Sequence, residues 1–144
     1  NLMNKEGNLM NKITESYLEY LNETQIPPQL ITVALSLGIL YYIRKQDAKL
    51  GECFKQADVL QKSGKVNKGF NNRRVAIFTC RIKFCENILQ TLRSNRNKCE
   101  NSPDKDRCYR SVDNEIYKFQ KLLDRYTKSR KKVQDNKFSL VRIV

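Results

Sequence analysis

The sequence predicts an all-α fold: a four- to five-helix up-down bundle held together by disulfides, with a short extended C-terminal tail. Gly and Pro number only 5 and 3 among 144 residues, which is little turn chemistry for a many-stranded sheet. Apolar residues recur every three or four positions in several long segments, as on one face of a helix. Five cysteines are spaced in a way that suits pairing between neighbouring helices. The length suits one domain over residues 1–144, with residues 1–8 as a frayed start.

The first predicted helix precedes the Pro27-Pro28 pair, which ends it. Its evidence is one apolar stripe at helical spacing: Leu9, Ile13, Tyr17, Tyr20 and Leu21.

The second helix is predicted to begin near Pro28 and to run into the 49–53 region, because proline is well tolerated in a first helical turn. Residues 30–43 carry no charge over 14 positions, whereas a membrane span needs about 20. A core helix buried on nearly all sides is the favoured interpretation. A helix lining an apolar ligand cavity and a membrane-active helix are the alternatives. Gly51 is a candidate break.

Two further helices follow a turn predicted at residues 63–69, where Ser, Asn and two Gly cluster. The third helix is expected over 72–95, with the apolar stripe Val75, Phe78, Ile82, Cys85, Leu89 and Leu92. A loop over 95–103 leads to Ser102-Pro103-Asp104, predicted as an N-cap, a first-turn proline and a first-turn acid. The fourth helix has the stripe Cys108, Val112, Ile116, Phe119, Leu123 and Tyr126. Its basic end is followed by a β-branched tail, predicted to be extended over 137–144.

Antiparallel hairpins allow the cysteine spacing to be tested, since two residues face each other when they lie equally far from the turn. Cys53 and Cys80 share a midpoint at 66.5, inside the 63–69 turn, and Cys99 and Cys108 share one at 103.5. Cys53–Cys80 and Cys99–Cys108 are therefore the predicted bridges, with Cys85 a buried free thiol. One alternative has Cys85 in place of Cys80, and another has five reduced cysteines in an intracellular protein.

Catalysis is not indicated. The absence of His removes His-based acid–base chemistry and His-containing metal sites, and no nucleotide-binding or hydrolase motif is present. We therefore expect a protein that is not an enzyme, with no cofactor and no metal.

The charge is concentrated in one part of the chain. Residues 1–60 hold 6 Lys+Arg and 7 Asp+Glu, a balance of −1, whereas residues 61–144 hold 22 and 8, a balance of +14. Such an excess is self-repulsive in a folded protein and favours a role in solubility or in binding an acidic partner. The candidate partner-binding residues are Lys62, Lys65, Lys68, Arg73 and Arg74; Arg93, Arg96 and Lys98; and Lys128, Arg130, Lys131 and Lys132. In a simple bundle the first and third groups would meet at one end, with the second at the opposite end.

These observations predict a small secreted basic protein that binds an anionic polysaccharide, a cell surface or an acidic protein. Salivary and other host-interaction proteins are one setting that this composition fits. Asn22-Glu23-Thr24 is a predicted N-glycosylation site, and a start at Asn1 rather than Met fits removal of a signal peptide or simply a chain cut there. A carrier of a small apolar ligand and an intracellular nucleic-acid-binding protein are the alternatives.

Overall fold

The fold is all-helical in the computed structural model, which describes residues 26–63 and 66–143, with side chains described for 26–59 and 73–135. Four α-helices lie in this part of the chain: α1 (Pro28–Leu37), α2 (Leu40–Ser63), α3 (Val66–Asn95) and α4 (Lys105–Ile143). A 3-10 helix, Arg96–Asn101, connects α3 to α4. The described residues contain no strand. The predicted helix over residues 9–21, the frayed start and the Asn22 site lie outside the described residues.

Helix α3 lies between its two long neighbours and packs along both. It runs antiparallel to α2, since Asn87 donates a hydrogen bond to Gln46 (3.0 Å) and Arg73 donates one to Asp58 (2.8 Å). It is also antiparallel to α4, because Arg96 of the 3-10 helix that follows it binds Asp113 near the start of α4. Helix α1 packs against α2, α4 and the 3-10 helix.

Most residues of the two predicted apolar stripes, on α3 and on α4, are buried in the core. On α3, Ile82, Cys85, Leu89 and Leu92 are buried, whereas Val75 and Phe78 are half-buried. On α4, Cys108, Val112, Phe119 and Tyr126 are buried, whereas Ile116 and Leu123 are half-buried. Because α3 has a helix on either side, it also buries residues outside the predicted stripe: Ile77, Cys80, Phe84 and Ile88.

The uncharged segment 30–43 is not one helix buried on nearly all sides, as predicted, but two helices that meet at Gly38. Gly38 has φ +68° and ψ 28°, the left-handed conformation that glycine adopts at low cost. Its N–H donates to the carbonyl of Leu35, and the N–H of Ile39 donates to that of Ala34. This pair of bonds is the Schellman motif, which ends a helix by satisfying its last carbonyls.

Because the chain changes direction at Gly38, only part of the uncharged segment 30–43 is buried in the core. The buried residues are Leu30, Val33, Ala34, Leu37, Ile39 and Ile43. Leu35, Tyr41 and Tyr42 are instead 61%, 73% and 56% exposed. The predicted break at Gly51 is wrong, because Gly51 lies inside α2. Within the described residues, no helix is long and apolar enough to cross a membrane.

The other helix ends also differ from the prediction. Helix α3 begins at Val66, only three residues after α2 ends, so the predicted turn at 63–69 is shorter than expected. Helix α4 continues to Ile143, so the extended tail predicted for residues 137–144 is wrong over 137–143, where the backbone is helical. At the start of α4 the cap is Asp104 rather than Ser102, because Asp104 Oδ1 accepts the backbone N–H of Arg107 at 3.2 Å.

Both predicted disulfides are confirmed. Cys53 is bonded to Cys80 across α2 and α3, and Cys99 is bonded to Cys108 across the 3-10 helix and α4. Cys85 is a buried free cysteine, as predicted. Burial raises the pKa of its thiol to about 12, so the sulfur stays protonated and unreactive at neutral pH.

We expect the two disulfides to contribute unequally to stability. The bonded cysteines are separated by 27 residues in one case and 9 in the other. By loop-closure entropy the bridges stabilise the protein by about 3.6 and about 2.7 kcal/mol. The double variants Cys53→Ser/Cys80→Ser and Cys99→Ser/Cys108→Ser, compared in urea unfolding, should therefore show the larger loss for the first. Equal losses, or a reversed order, would contradict this expectation.

We expect Gly38→Ala to cost about 1 kcal/mol in the free energy of unfolding. A Cβ at Gly38 would meet no atom within 4 Å, so the whole cost comes from the left-handed backbone. Gly38→Asn is the matched variant, because Asn tolerates this conformation better. Urea unfolding should place Gly38→Asn between the native protein and Gly38→Ala. No difference between the two variants would show that backbone strain is not the cause.

Candidate anion-binding surface

The first and third predicted basic groups lie at the same end of the structure. Arg130 of α4 donates a hydrogen bond to Thr79 of α3 at 3.3 Å. Arg73 precedes Thr79 by six residues, about 9 Å along the helix, on the side toward the start of α3. The end of α4 and the start of α3 therefore adjoin. The side chains of Lys62, Lys65 and Lys68 lie outside those described.

Arg73 and Arg130 of this end group both contact a neighbouring helix. Arg73 forms an ion pair with Asp58 at 2.8 Å, and its side chain is only 23% exposed. Arg130 is half-buried and holds Thr79. Arg73 and Arg130 therefore stabilise the packing between helices, in addition to any role in binding a partner. Lys128, Lys131 and Lys132 are exposed.

The second predicted group lies at the opposite end and is partly neutralised. Arg96 binds both carboxylate oxygens of Asp113, at 2.8 and 3.0 Å, and its guanidinium lies 4.5 Å from the centroid of the Tyr109 ring. The hydrogen bond from Arg96 lowers the pKa of Asp113 below its usual value. Arg93 donates to Gln120 at 3.0 Å, and Lys98 is exposed.

A larger basic feature, which the sequence groups of neighbouring cations do not predict, runs along the outer face of α4. Seven exposed cations recur at spacings of three, four or eight residues, and together we call them the basic stripe: Arg107, Arg110, Lys118, Lys121, Arg125, Lys128 and Lys132. At 1.5 Å per residue the stripe extends about 38 Å from Arg107 to Lys132. The single gap, between Arg110 and Lys118, contains Asn114 and Tyr117, both exposed.

Helical geometry explains why these residues share a face. At 3.6 residues per turn, the stripe falls within an arc of about 80°. The buried side chains of α4 lie on the opposite face: Cys108, Val112, Glu115, Phe119, Tyr126 and Val133. The core side of the helix therefore fixes the orientation of the stripe toward solvent.

The exposed acidic residues of α4 lie beside this stripe. Asp106, Asp113 and Asp124 lie roughly 80–100° around the helix from the centre of the stripe, and Asp135 lies about 60° from it, near Lys128 and Lys132. On this side of α4, Asp113 binds Arg96 of the 3-10 helix, and Gln120 accepts a hydrogen bond from Arg93 of α3. Of these acids, Asp113 contacts the 3-10 helix, and Asp124 accepts a hydrogen bond from Gln120 of α4 itself at 3.3 Å.

One cation of the stripe has an intramolecular ion pair. Lys118 Nζ lies 3.3 Å from Oε1 of Glu115, whose side chain is only 2% exposed. Oε2 of Glu115 is buried without a hydrogen-bond partner, so the contact of Oε1 with Lys118 offsets only part of the cost of burying this carboxylate. Through this ion pair, Lys118 of the basic stripe contacts a buried residue of the core.

A groove of about 630 Å³ lies on the other side of α3, between α2 and α3. It is lined in part by Leu50 and Phe84 and by charges of both signs: Lys45, Lys49, Glu52, Lys83 and Glu86. The apolar segment 30–43, proposed above as a possible cavity lining, does not line this groove.

No group of three or more His, Cys, Asp or Glu residues comes together as a metal site within the described part of the chain. No protein-family model, curated protein or solved structure matches the chain. The candidate site is therefore argued from its own geometry and charge.

We expect Arg130 and Lys131, although adjacent and both basic, to differ in what they do for the fold. Arg130→Gln removes the hydrogen bond to Thr79 and should lower the free energy of unfolding by about 1 kcal/mol. Lys131→Gln removes an exposed charge and should change it by less than about 0.5 kcal/mol. Urea unfolding of both variants checks this, and equal effects would contradict a structural role for Arg130.

Proposed function

We propose that this protein is a small secreted binding protein that engages an anionic or acidic partner through its basic surface and performs no catalysis. The observation that carries the proposal is the basic stripe, a row of seven exposed cations along one face of α4 with no acidic residue inside its arc. The complete chain would form the four- to five-helix up-down bundle that the sequence predicts.

Electrostatics support this proposal. Cations collected on one face produce a local positive potential, which attracts an anionic partner and raises its rate of association. Asp106 and Asp124 lie four residues before Arg110 and Lys128, the spacing at which helical ion pairs form, yet neither pair is formed in the structure. Only Lys118 of the seven has an ion pair among the described residues.

Two disulfides fit an extracellular protein, because such bonds persist in oxidising compartments. This supports placing the protein outside the cell, where sulfated glycosaminoglycans, cell surfaces and acidic host proteins are the available partners. The same observation disfavours the alternative of an intracellular nucleic-acid-binding protein with reduced thiols. The host-interaction role, glycosylation at Asn22 and the apolar-ligand carrier remain predictions.

The proposal is tested with heparin as the anionic probe. We compare the native protein with a stripe variant, Lys121→Gln/Arg125→Gln/Lys128→Gln/Lys132→Gln. The matched control is Arg44→Gln/Lys45→Gln/Lys49→Gln/Lys83→Gln, which removes four exposed cations from α2 and α3. Both variants lose the same net charge, so the comparison separates a defined surface from a general charge effect.

We expect native binding to weaken steeply with salt, since binding a polyanion releases its condensed counterions. The stripe variant should lose at least about tenfold in affinity at 0.15 M salt, and the slope of log K against log salt should become shallower by about 3. The control variant should lose much less. Titration calorimetry over a salt series measures both quantities, and circular dichroism verifies the fold. Salt-insensitive binding, or equal losses in the two variants, would overturn the proposal.

A further inference from the structure

The shape of the basic stripe specifies more than an attraction to negative charge. Its cations follow the axis of a single helix for about 38 Å and span an arc of only about 80°. The surface is therefore long in one direction and narrow in the other. A narrow row of charges matches a partner whose own charges lie along a line.

The stripe has two parts, separated by the gap at Asn114 and Tyr117. Arg107 and Arg110 form the N-terminal pair, and five cations from Lys118 to Lys132 form the C-terminal part, about 21 Å long. Arg110 and Lys118 are eight residues apart, about 12 Å along the axis. A short ligand can therefore satisfy only one part, whereas a long one can satisfy both.

The surface of the gap between Arg110 and Lys118 has no negative charge that would repel an anionic polymer. It contains no carboxylate on the outer arc, because Asp113 lies on the adjacent flank, bound to Arg96, and Glu115 is buried. Tyr117 is 60% exposed, and Lys121 Nζ lies 4.6 Å from the centroid of its ring. An exposed aromatic ring with a hydroxyl offers contact area and a hydrogen bond to a ligand that crosses the gap.

We infer that the partner is a linear sulfated polysaccharide, which lies along the outer face of α4 parallel to the helix axis and contacts both parts of the basic stripe. This inference rests on the proposed function and specifies the chemistry and direction of its ligand. The charges of such a polymer are distributed along one chain, so successive sulfates meet successive cations.

Two other kinds of partner fit the stripe less well. A globular acidic protein normally binds through a broad interface whose centre contains buried aromatic or apolar anchors. The stripe carries a single exposed aromatic residue, Tyr117. Double-stranded nucleic acid presents phosphates along curved strands, and the two disulfides favour an extracellular ligand.

The test uses the oxidised chain of residues 1–144 and heparin fragments of defined size. Binding is measured by fluorescence anisotropy with heparin fragments of two sizes. Extended fragments shorter than about 20 Å can cover one part of the stripe, and fragments longer than about 40 Å can cover all of it.

Three double variants are compared. Arg107→Gln/Arg110→Gln alters the N-terminal pair, Lys128→Gln/Lys132→Gln alters the C-terminal part, and Arg44→Gln/Lys45→Gln is the control. Lys118 is left intact because it pairs with the buried Glu115.

We expect the affinity of the native protein to rise between the short and long fragments. For fragments longer than about 40 Å, the affinity should increase only in proportion to the number of equivalent binding positions along the polymer. Arg107→Gln/Arg110→Gln should lose roughly tenfold in affinity for long fragments while binding short fragments as the native protein does. Lys128→Gln/Lys132→Gln should weaken the binding of both sizes, and the control should weaken neither.

The other possible outcomes contradict either this inference alone or the proposed function as well. Salt-dependent binding without a rise with length, or an equal effect of Arg107→Gln/Arg110→Gln on both sizes, overturns the axial arrangement and leaves the proposed function standing. Tighter binding of single- or double-stranded DNA than of heparin at equal charge overturns the polysaccharide assignment. The absence of salt-dependent binding to any of these polymers overturns both proposals.

Discussion

The position of α3 between α2 and α4 is the constraint on which the described structure depends. A helix with partners on both sides must bury a wide arc, and α3 does so with residues such as Ile77, Phe84 and Ile88. Even Arg81 is buried, with its guanidinium 5.3 Å from the centroid of the Tyr126 ring. The Cys53–Cys80 disulfide fixes α3 to one neighbour covalently, whereas aromatic contacts such as Phe84–Phe119 join it to the other. Because α4 commits one face to this packing, its opposite face is available to carry the basic stripe.

The features that sequence reasoning recovered depend on a simple geometric regularity. Antiparallel helices place residues opposite each other in proportion to their distance from the turn, so the midpoints of Cys53 with Cys80 and Cys99 with Cys108 identified both disulfides. Helical periodicity likewise identified Ile82, Leu89 and Val112 as core residues. Both arguments need only the spacing of residues along a regular helix.

The errors arose where a local feature decided the outcome. The absence of charge over segment 30–43 predicts one helix, but the sequence Gly38-Ile39 ends α1 with a Schellman motif. The C-terminal segment was predicted to be extended from its β-branched residues, yet the helix continues to Ile143, so intrinsic preference was overridden. The basic stripe was missed for a different reason. Its members are dispersed in sequence, so grouping neighbouring cations finds Lys128 and Lys132 but not Arg110 and Lys121, which only the helical period brings onto the same face.

The Cys99–Cys108 disulfide has a consequence for how the basic surface responds to its chemical environment. Helix ends open more readily than helix centres, and the first turns of α4 carry Arg107 and Arg110. The disulfide ties Cys108, between these two arginines, to the buried Cys99 of the 3-10 helix. It therefore holds the terminal portion of the cationic row in line with the rest. In a reducing environment that portion would be free to fray, and the usable length of the row would shorten from its N-terminal end. For the proposed polysaccharide partner, the redox state of the surroundings would then set the length of polymer that the row can contact.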